Sequence, residues 1–253
     1  MIDVQALTYQ VQGKVILHGV STQIPAGGIT ALIGPNGAGK SSLLHAVTGL
    51  QPIQGGRVRI DGEDPFALQD RARALRVALL QQSPDVVPRL SIRDLVGFGR
   101  WPHHQGRPTA TDVEAINEAL AAFDLTDLAD RSLDAVSGGQ RQRAMVAMTF
   151  AQGTPWMCLD EPLNALDPRY ASDLMARLHQ LSRPGEANRS VVVVLHDINT
   201  AARWADHVVA LKDGKIFATG TPREVLTEAK LADLYETEFM VIEQAGKRAV
   251  VPA

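Results

Sequence analysis

Cysteine is nearly missing from this sequence. Cys158 is the only one among 253 residues, which excludes an intrachain disulfide framework and a cysteine-built zinc cluster and fits a reducing compartment. A surplus of positive charge is missing as well. The 25 Lys and Arg against 28 Asp and Glu leave a formal net charge of -3, so nothing pulls the whole chain toward a nucleic-acid backbone, and no nucleic-acid partner is expected. The first residues, Met1-Ile2-Asp3-Val4-Gln5, put an acid where a secretory leader carries basic residues, and no long apolar stretch follows. A membrane-crossing helix needs roughly 20 apolar residues, and the densest apolar run, residues 191–195, is far too short. Any membrane attachment is therefore expected through a partner or a surface. Internal repeats and low-complexity tracts are also lacking.

What is present is an ordinary globular mixture, 45% apolar and 21% charged. Residues 2–9 and 15–24 read as strands, and Pro25-Ala26-Gly27-Gly28 is a turn feeding the apolar run 29–33. A glycine-rich loop follows. From Lys40 onward, Leu43, Leu44, Val47 and Leu50 recur at helical spacing, with Gly49 as a terminator. Further apolar runs at 77–80, 156–159, 191–195 and 208–211 alternate with helical patterns at 112–123 and 169–181. Continuous apolar strands between helices predict an α/β core around a sheet covered on both faces, the habit of parallel sheets. The first sixty residues add an antiparallel sheet, and the helical region 91–150 reads as a semi-independent lobe. Residues 97–111 and 183–190, rich in Pro and Gly, read as loops.

The chemistry starts in Gly34-Pro35-Asn36-Gly37-Ala38-Gly39-Lys40-Ser41, which fits the G-x-x-x-x-G-K-[ST] phosphate loop between a strand and a helix. Glycines let successive N–H groups turn inward at phosphate oxygens, and the following helix adds the positive end of its dipole. Lys40 is expected to neutralise the β- and γ-phosphates of ATP and Ser41 to ligate Mg²⁺, with Ser42 completing the loop. Asp160 and Glu161 end the apolar run 156–159. Asp160 is expected to hold Mg²⁺ opposite Ser41, and Glu161 to accept a hydrogen bond from the attacking water. Ser137-Gly138-Gly139-Gln140 opens a helix; Ser137 is an N-cap candidate, and the exposed N–H groups make a second anion site.

Val136-Ser137-Gly138-Gly139-Gln140 resembles the signature motif of the ABC ATPases, with Val136 where leucine is usual. The resemblance runs over nearly the whole chain. It implies a P-loop NTPase fold of the ABC nucleotide-binding type, a single ATPase domain over 1–253 with a mixed, largely parallel core sheet, an antiparallel β subdomain and a helical signature subdomain. It also implies two copies bound head to tail, the signature of one pressing on the γ-phosphate held by the other. Within that resemblance Tyr9 stands where an aromatic residue stacks on adenine, although plain packing remains open for a lone tyrosine. Gln82 resembles the glutamine that touches Mg²⁺ and signals to the membrane subunit, with Gln81 leaving a one-residue ambiguity. Asn164-Ala165-Leu166-Asp167 resembles the D-loop, Asp167 aligning the dimer, and His196 resembles the histidine that contacts the γ-phosphate.

The stretches Leu90-Ser91-Ile92-Arg93-Asp94-Leu95-Val96, Gly99-Arg100-Trp101-Pro102 and Leu195-His196-Asp197-Ile198-Asn199 are similar to ATPases that drive import of ferric siderophores, haem and cobalamin. Siderophore uptake is the leading expectation. Sugar-importer ATPases carry an added regulatory domain that is not expected here, and exporters commonly fuse the ATPase to spanning helices. Implied partners are a second ATPase copy, integral membrane permeases docking on residues 83–100 and, indirectly, a substrate-binding protein. The implied place is the cytoplasmic face of the plasma membrane. ATP-driven closure supplies the stroke and hydrolysis resets it. A soluble ABC ATPase of cofactor assembly is the alternative in another class. His103 and His104, in a Pro/Gly stretch, read as solvated and not as metal ligands.

Overall fold

The computed structural model describes residues 1–81, 90–164, 166–185, 189–244 and 247–253. In chain order it begins with β1 (Ile2–Val11), β2 (Lys14–Ile24), β3 (Ile29–Ile33), α1 (Lys40–Val47), β4 (Gly55–Ile60), α2 (Asp70–Ala74) and β5 (Val77–Leu80). A helical stretch follows, with α3 (Ile92–Phe98), α4 (Trp101–His104), α5 (Ala110–Ala122) and α6 (Gly138–Ala151). Then come β6 (Trp156–Leu159), α7 (Pro168–Leu181), β7 (Ser190–Val194), α8 (Ile198–Trp204), β8 (His207–Lys212) and β9 (Lys215–Gly220). The chain finishes in α9 (Pro222–Val225), α10 (Glu228–Tyr235), β10 (Phe239–Gln244) and β11 (Lys247–Pro252).

The central sheet has the order β5-β6-β7-β3-β8-β9. Its first five strands are parallel, and β9 is antiparallel to β8. The short apolar runs are strands because each is buried on both faces. In β3, Ile29, Ala31 and Ile33 enter one core cluster while Leu32 enters the other; β7 divides Val191 and Val193 from Val192 and Val194 in the same way. Period-two alternation between two apolar clusters is what a doubly covered parallel sheet requires. On one face, α1 supplies Leu43, Leu44, Ala46 and Val47 to a cluster shared with Ile2, Val4 and Leu7 of β1. It is thus held between the central sheet and an antiparallel sheet of order β2-β1-β4. The mixed α/β architecture expected from the sequence is the one observed.

Helices α3, α5 and α6 pack on one another beside the second core cluster. Here the expectation of a loop over 97–111 needs correction. Helix α3 runs to Phe98, and α4 occupies Trp101–His104 with Pro102 in its first turn, where no N–H is needed. The proline starts a helix there; it does not interrupt one. The two histidines are also not simply solvated. His103 Nε2 lies 2.8 Å from the Gln152 carbonyl oxygen, and His104 Nδ1 accepts from the Gly106 N–H at 3.0 Å. Among the described residues no group of three or more His, Cys, Asp or Glu side chains is arranged to hold a metal ion.

A buried ion pair ties this lobe together. Arg100 Nε donates to Asp112 Oδ1 at 3.0 Å, and Arg100 Nη1 donates to the Ala151 carbonyl at the end of α6. Asp112 also closes the capping box of α5 with Thr109. The Thr109 N–H, then its hydroxyl and Arg100, hold the Asp112 carboxyl down at about 2 against the opposing effect of burial. A depressed carboxylate pKa contributes stability above the unfolded value, and that stability is lost as pH falls through the folded value. Asp112→Asn should therefore cost about 2 kcal/mol near neutral pH, since it leaves a buried guanidinium without its counter-charge. Denaturant melts should show the gap to wild type closing between about pH 4 and about pH 2. A gap that is constant with pH would reject the assignment.

Candidate functional site

Strand β3 ends in a backbone that only glycine fits. Gly34 has φ 140°, and a Cβ there would lie 2.1 Å from the Leu211 carbonyl oxygen of β8. At the other end of the loop Gly39 has φ 96° and opens α1 with no side-chain cap, so the first helical N–H groups are not consumed by a cap. The tip, Asn36 and Gly37, is exposed, and a Cβ on Gly37 would meet nothing within 4 Å. Pro35 is half-buried and Ala38 buried. The β8–β9 turn pins the loop from outside, because the Gly214 N–H donates to the Ala38 carbonyl at 3.1 Å. Lys40 is 5% exposed. Its Nζ donates to the Gly34 and Pro35 carbonyls, each at 2.9 Å. Burial lowers its pKa, while the nearby Glu161 and Asp160 charges oppose the fall. An ammonium has three protons, so the cradle aims a cation into a concave, N–H-lined space suited to phosphate oxygens.

The next strand ends carry oxygen donors. Ser41 Oγ donates to Asp160 Oδ1 at 2.8 Å, and Asp160 is only 3% exposed at the end of β6. A hydroxyl beside a carboxylate is the hard-oxygen donor set that suits Mg²⁺, which takes few protein ligands and completes its shell with phosphate and water. Ser42 is half-buried on the same turn of α1. His45 Nε2 lies 3.3 Å from Asp160 Oδ2. Sequence reading missed His45, yet a signal was there: four residues after Ser41, it shares Ser41's face of the helix.

Glu161 has φ 50°, a left-handed conformation that a non-glycine residue adopts at a cost of about 1–3 kcal/mol and that clusters at functional sites. The turn delivers its carboxylate to two neighbours. Glu161 Oε1 is 2.6 Å from His196 Nε2, and Oε2 accepts from the Asn164 side-chain amide. His196 follows β7 and is exposed at its side chain, whereas that of Glu161 is 13% exposed. Asn164 had been read only as part of the D-loop; its bond to Glu161 is a further role.

Sheet order explains the assembly. Strands β6, β7 and β3 are consecutive neighbours, so Asp160 and Glu161, His196, and the glycine loop emerge side by side at their C-terminal ends, where parallel α/β sheets take ligands. Gln82 lies outside the described residues. The last described residue before it, Gln81, follows β5, the next strand in the row.

Tyr9 and the segment from Ser137 to Gln140 behave differently. Tyr9 is 7% exposed and packs in the core cluster with Leu7, Leu17 and Val58. That burial is what the packing alternative expects. Ser137, Gly138, Gly139 and Gln140 share a cavity that no residue of the glycine loop lines. They line this cavity of 290 Å³ with Arg143, Asp167 and Tyr170. Ser137 accepts from the Gln140 N–H and Gln140 Oε1 accepts from the Ser137 N–H, a full capping box. Asp167 caps α7 by accepting from the Arg169 and Tyr170 N–H groups.

Comparison with known proteins shows the family. The ABC transporter family profile matches residues 17–164. The petrobactin import ATP-binding protein of Bacillus subtilis (strain 168) is 42% identical over 236 residues, covering 93% of both chains. The ferric enterobactin transport ATP-binding protein of Escherichia coli (strain K12) is 40% identical over 241 residues, 94% of this chain and 88% of that one. The hemin import ATP-binding protein of Pseudomonas entomophila (strain L48) is 39% identical over 246 residues, 95% of this chain and 94% of that one. Among solved structures, an inward-facing ABC transporter assigned to the metal-chelate type superposes with a TM-score of 0.84 at 25% identity, over 100% of this chain and 97% of that one. A cassette dimer in a post-hydrolysis state with ADP and Pi gives 0.78 at 28% identity, over 88% and 99%.

Proposed function

This chain belongs to the ABC transporter family as a transport-coupled ATPase, and from that premise we propose that it drives import of ferric-siderophore complexes. In this reading two copies work head to tail beneath a pair of permease subunits at the cytoplasmic face of a membrane. Among the described residues no helix is long and apolar enough to cross a bilayer, so passage of cargo falls to the permeases.

The observation that carries the ATPase reading is the row of donors at the ends of β3, β6 and β7. Lys40 and the N–H groups from Gly37 to Ser41 hold the triphosphate. Ser41 and Asp160 are the residues that would hold Mg²⁺, which when bound supplies positive charge against the phosphates. Glu161 takes the proton from the attacking water as that water bonds to the γ-phosphorus, and ADP departs as the leaving group. His196, 2.6 Å from Glu161, orients the carboxylate and lies within reach of the γ-phosphate. Ser137 and Gly139 of the opposite copy cover the nucleotide, in keeping with a cavity at these residues that the glycine loop does not line. Asp167 lines the same cavity as those residues and would align the two copies. Residues 83–100, with Gln82 before them, are the proposed link to the permease.

The choice of cargo rests on relatives that carry petrobactin and enterobactin in their names, each at about 40% identity. The test is uptake by proteoliposomes that contain this chain with its permease and binding protein. Labelled ferric siderophore should accumulate only when ATP is present on the ATPase side. Transport of haem, for which a relative at 39% identity argues, with none of ferric siderophore, would overturn the cargo.

A further inference from the structure

Helix α1 carries two side chains that meet one carboxylate. Ser41 and His45 are four residues apart, about one helical turn, and stand on the same face. Both reach the end of β6. Ser41 Oγ donates to Asp160 Oδ1 at 2.8 Å, and His45 Nε2 lies 3.3 Å from Oδ2 of the same group. The main chain holds Asp160 separately, because its N–H donates to the Leu80 carbonyl of β5 at 2.9 Å. With 3% exposure the carboxylate has given up nearly all its water, so the protein must supply donors to its oxygens.

Ser41 serves Oδ1. The nitrogen that faces Oδ2 is buried and makes no hydrogen bond. At 3.3 Å it stands just outside the ordinary N–H···O range of roughly 2.7–3.2 Å. The His45 side chain is 24% exposed, and since Nε2 is buried that exposure lies elsewhere on the side chain. Water therefore cannot satisfy this nitrogen, and its one ion-pair contact among the described residues is Asp160. Buried polar atoms without a partner are rare in folded proteins and call for an explanation. A donor poised beside a buried acid supplies one.

We propose that His45 is a positioning residue for Asp160, donating from Nε2–H to Oδ2 so that the carboxylate keeps the orientation in which it and Ser41 hold Mg²⁺. The inference rests on the ATPase reading above, in which those two residues hold the ion. A carboxylate gripped at one oxygen can still turn about its Cβ–Cγ bond; a second contact, on the other oxygen, stops that rotation. Ser41 cannot be relied on as the only grip, because its own oxygen is wanted for the metal. Carboxylates that bind metals are commonly held in this way by an outer hydrogen-bond partner. Here both contacts come from one helix, so the glycine loop, Ser41 and the orientation of Asp160 are set by the same rigid element.

The experiment reads binding, not turnover. The non-hydrolysable ATP analogue adenylyl imidodiphosphate is titrated calorimetrically into the full chain with Mg²⁺ and again with EDTA, and the ratio of the two affinities is the gain due to the metal. His45→Ala should cut that gain roughly tenfold, the lower end of the range for outer-shell partners of metal ligands, with affinity in EDTA within about twofold of wild type. His45→Gln keeps a side-chain N–H donor and should recover most of the gain. A gain in His45→Ala equal to that of wild type would overturn the proposal. So would a fall of both affinities in step with melting temperature, which marks His45 as a packing residue only. A wild-type chain that binds the analogue equally well with and without Mg²⁺ would instead remove the assignment of Ser41 and Asp160, and the role of His45 with it, so the two failures are separable.

Discussion

Glu161→Gln is expected to lower kcat for ATP hydrolysis by roughly 10²–10⁴-fold, the range associated with a positioned general base, while leaving ATP affinity close to wild type. The substitution is nearly isosteric. It keeps an oxygen that can accept from the Asn164 amide or from His196, and it keeps the φ 50° turn that presents the side chain. What it removes is the negative charge proposed to take a proton from water. Because the phosphate cradle is untouched, ATP still binds, and unhydrolysed ATP between two copies should accumulate a closed dimer. Single-turnover hydrolysis and size-exclusion chromatography with ATP measure the two effects. Near-normal turnover would assign the base elsewhere. Full loss of ATP binding would mean that Glu161 supports the fold of the loop and not the chemistry.

Lys40→Ala carries the second large effect, and it falls on binding. Charge-assisted hydrogen bonds are about twice as strong as neutral ones, and a desolvated ammonium meeting two phosphates makes more than one. The expected loss of ATP affinity is roughly 10²–10³-fold. The 5% exposure of Lys40 sharpens the expectation, because the depressed pKa marks an ammonium that has given up solvent. Phosphate restores to it what burial removed. Isothermal titration with ATP reads the change; affinity within about threefold of wild type would reject the phosphate-loop assignment. Melting temperature should move little by comparison, since removing the cation also removes its burial cost and the two carbonyls it serves remain close to the exposed loop tip.

The helix starts and the phosphate loop were legible because they are local. Gly34 and Gly39 adopt backbones that follow from consecutive residues, and the capping box of Ser137 with Gln140 spans three positions. The parallel core was legible for a related reason: runs such as 191–195 are apolar at every position, which only double coverage permits. The C-terminal hairpin escaped reading because β10, apolar from Phe239 to Ile242, is mostly exposed and has no buried face. It is a strand through its pairing with β11 and its ties to α9 and α10, not through its own periodicity.

Sequence alone therefore determined where the glycine loop and helix caps fall, which residues are candidates to act, and that a two-faced sheet organises them. These depend on neighbours within a few positions. Tertiary structure alone decided which of those residues meet. Ser41 reaches Asp160 across 119 positions, and Glu161 reaches His196, because β6, β7 and β3 lie adjacent in the sheet. It also decided that Tyr9 is buried and that Ser137 shares a cavity with Asp167 and Tyr170. Strand order and the facing of side chains are set by the lowest free energy of packing the whole chain, a global quantity that no short window of residues contains.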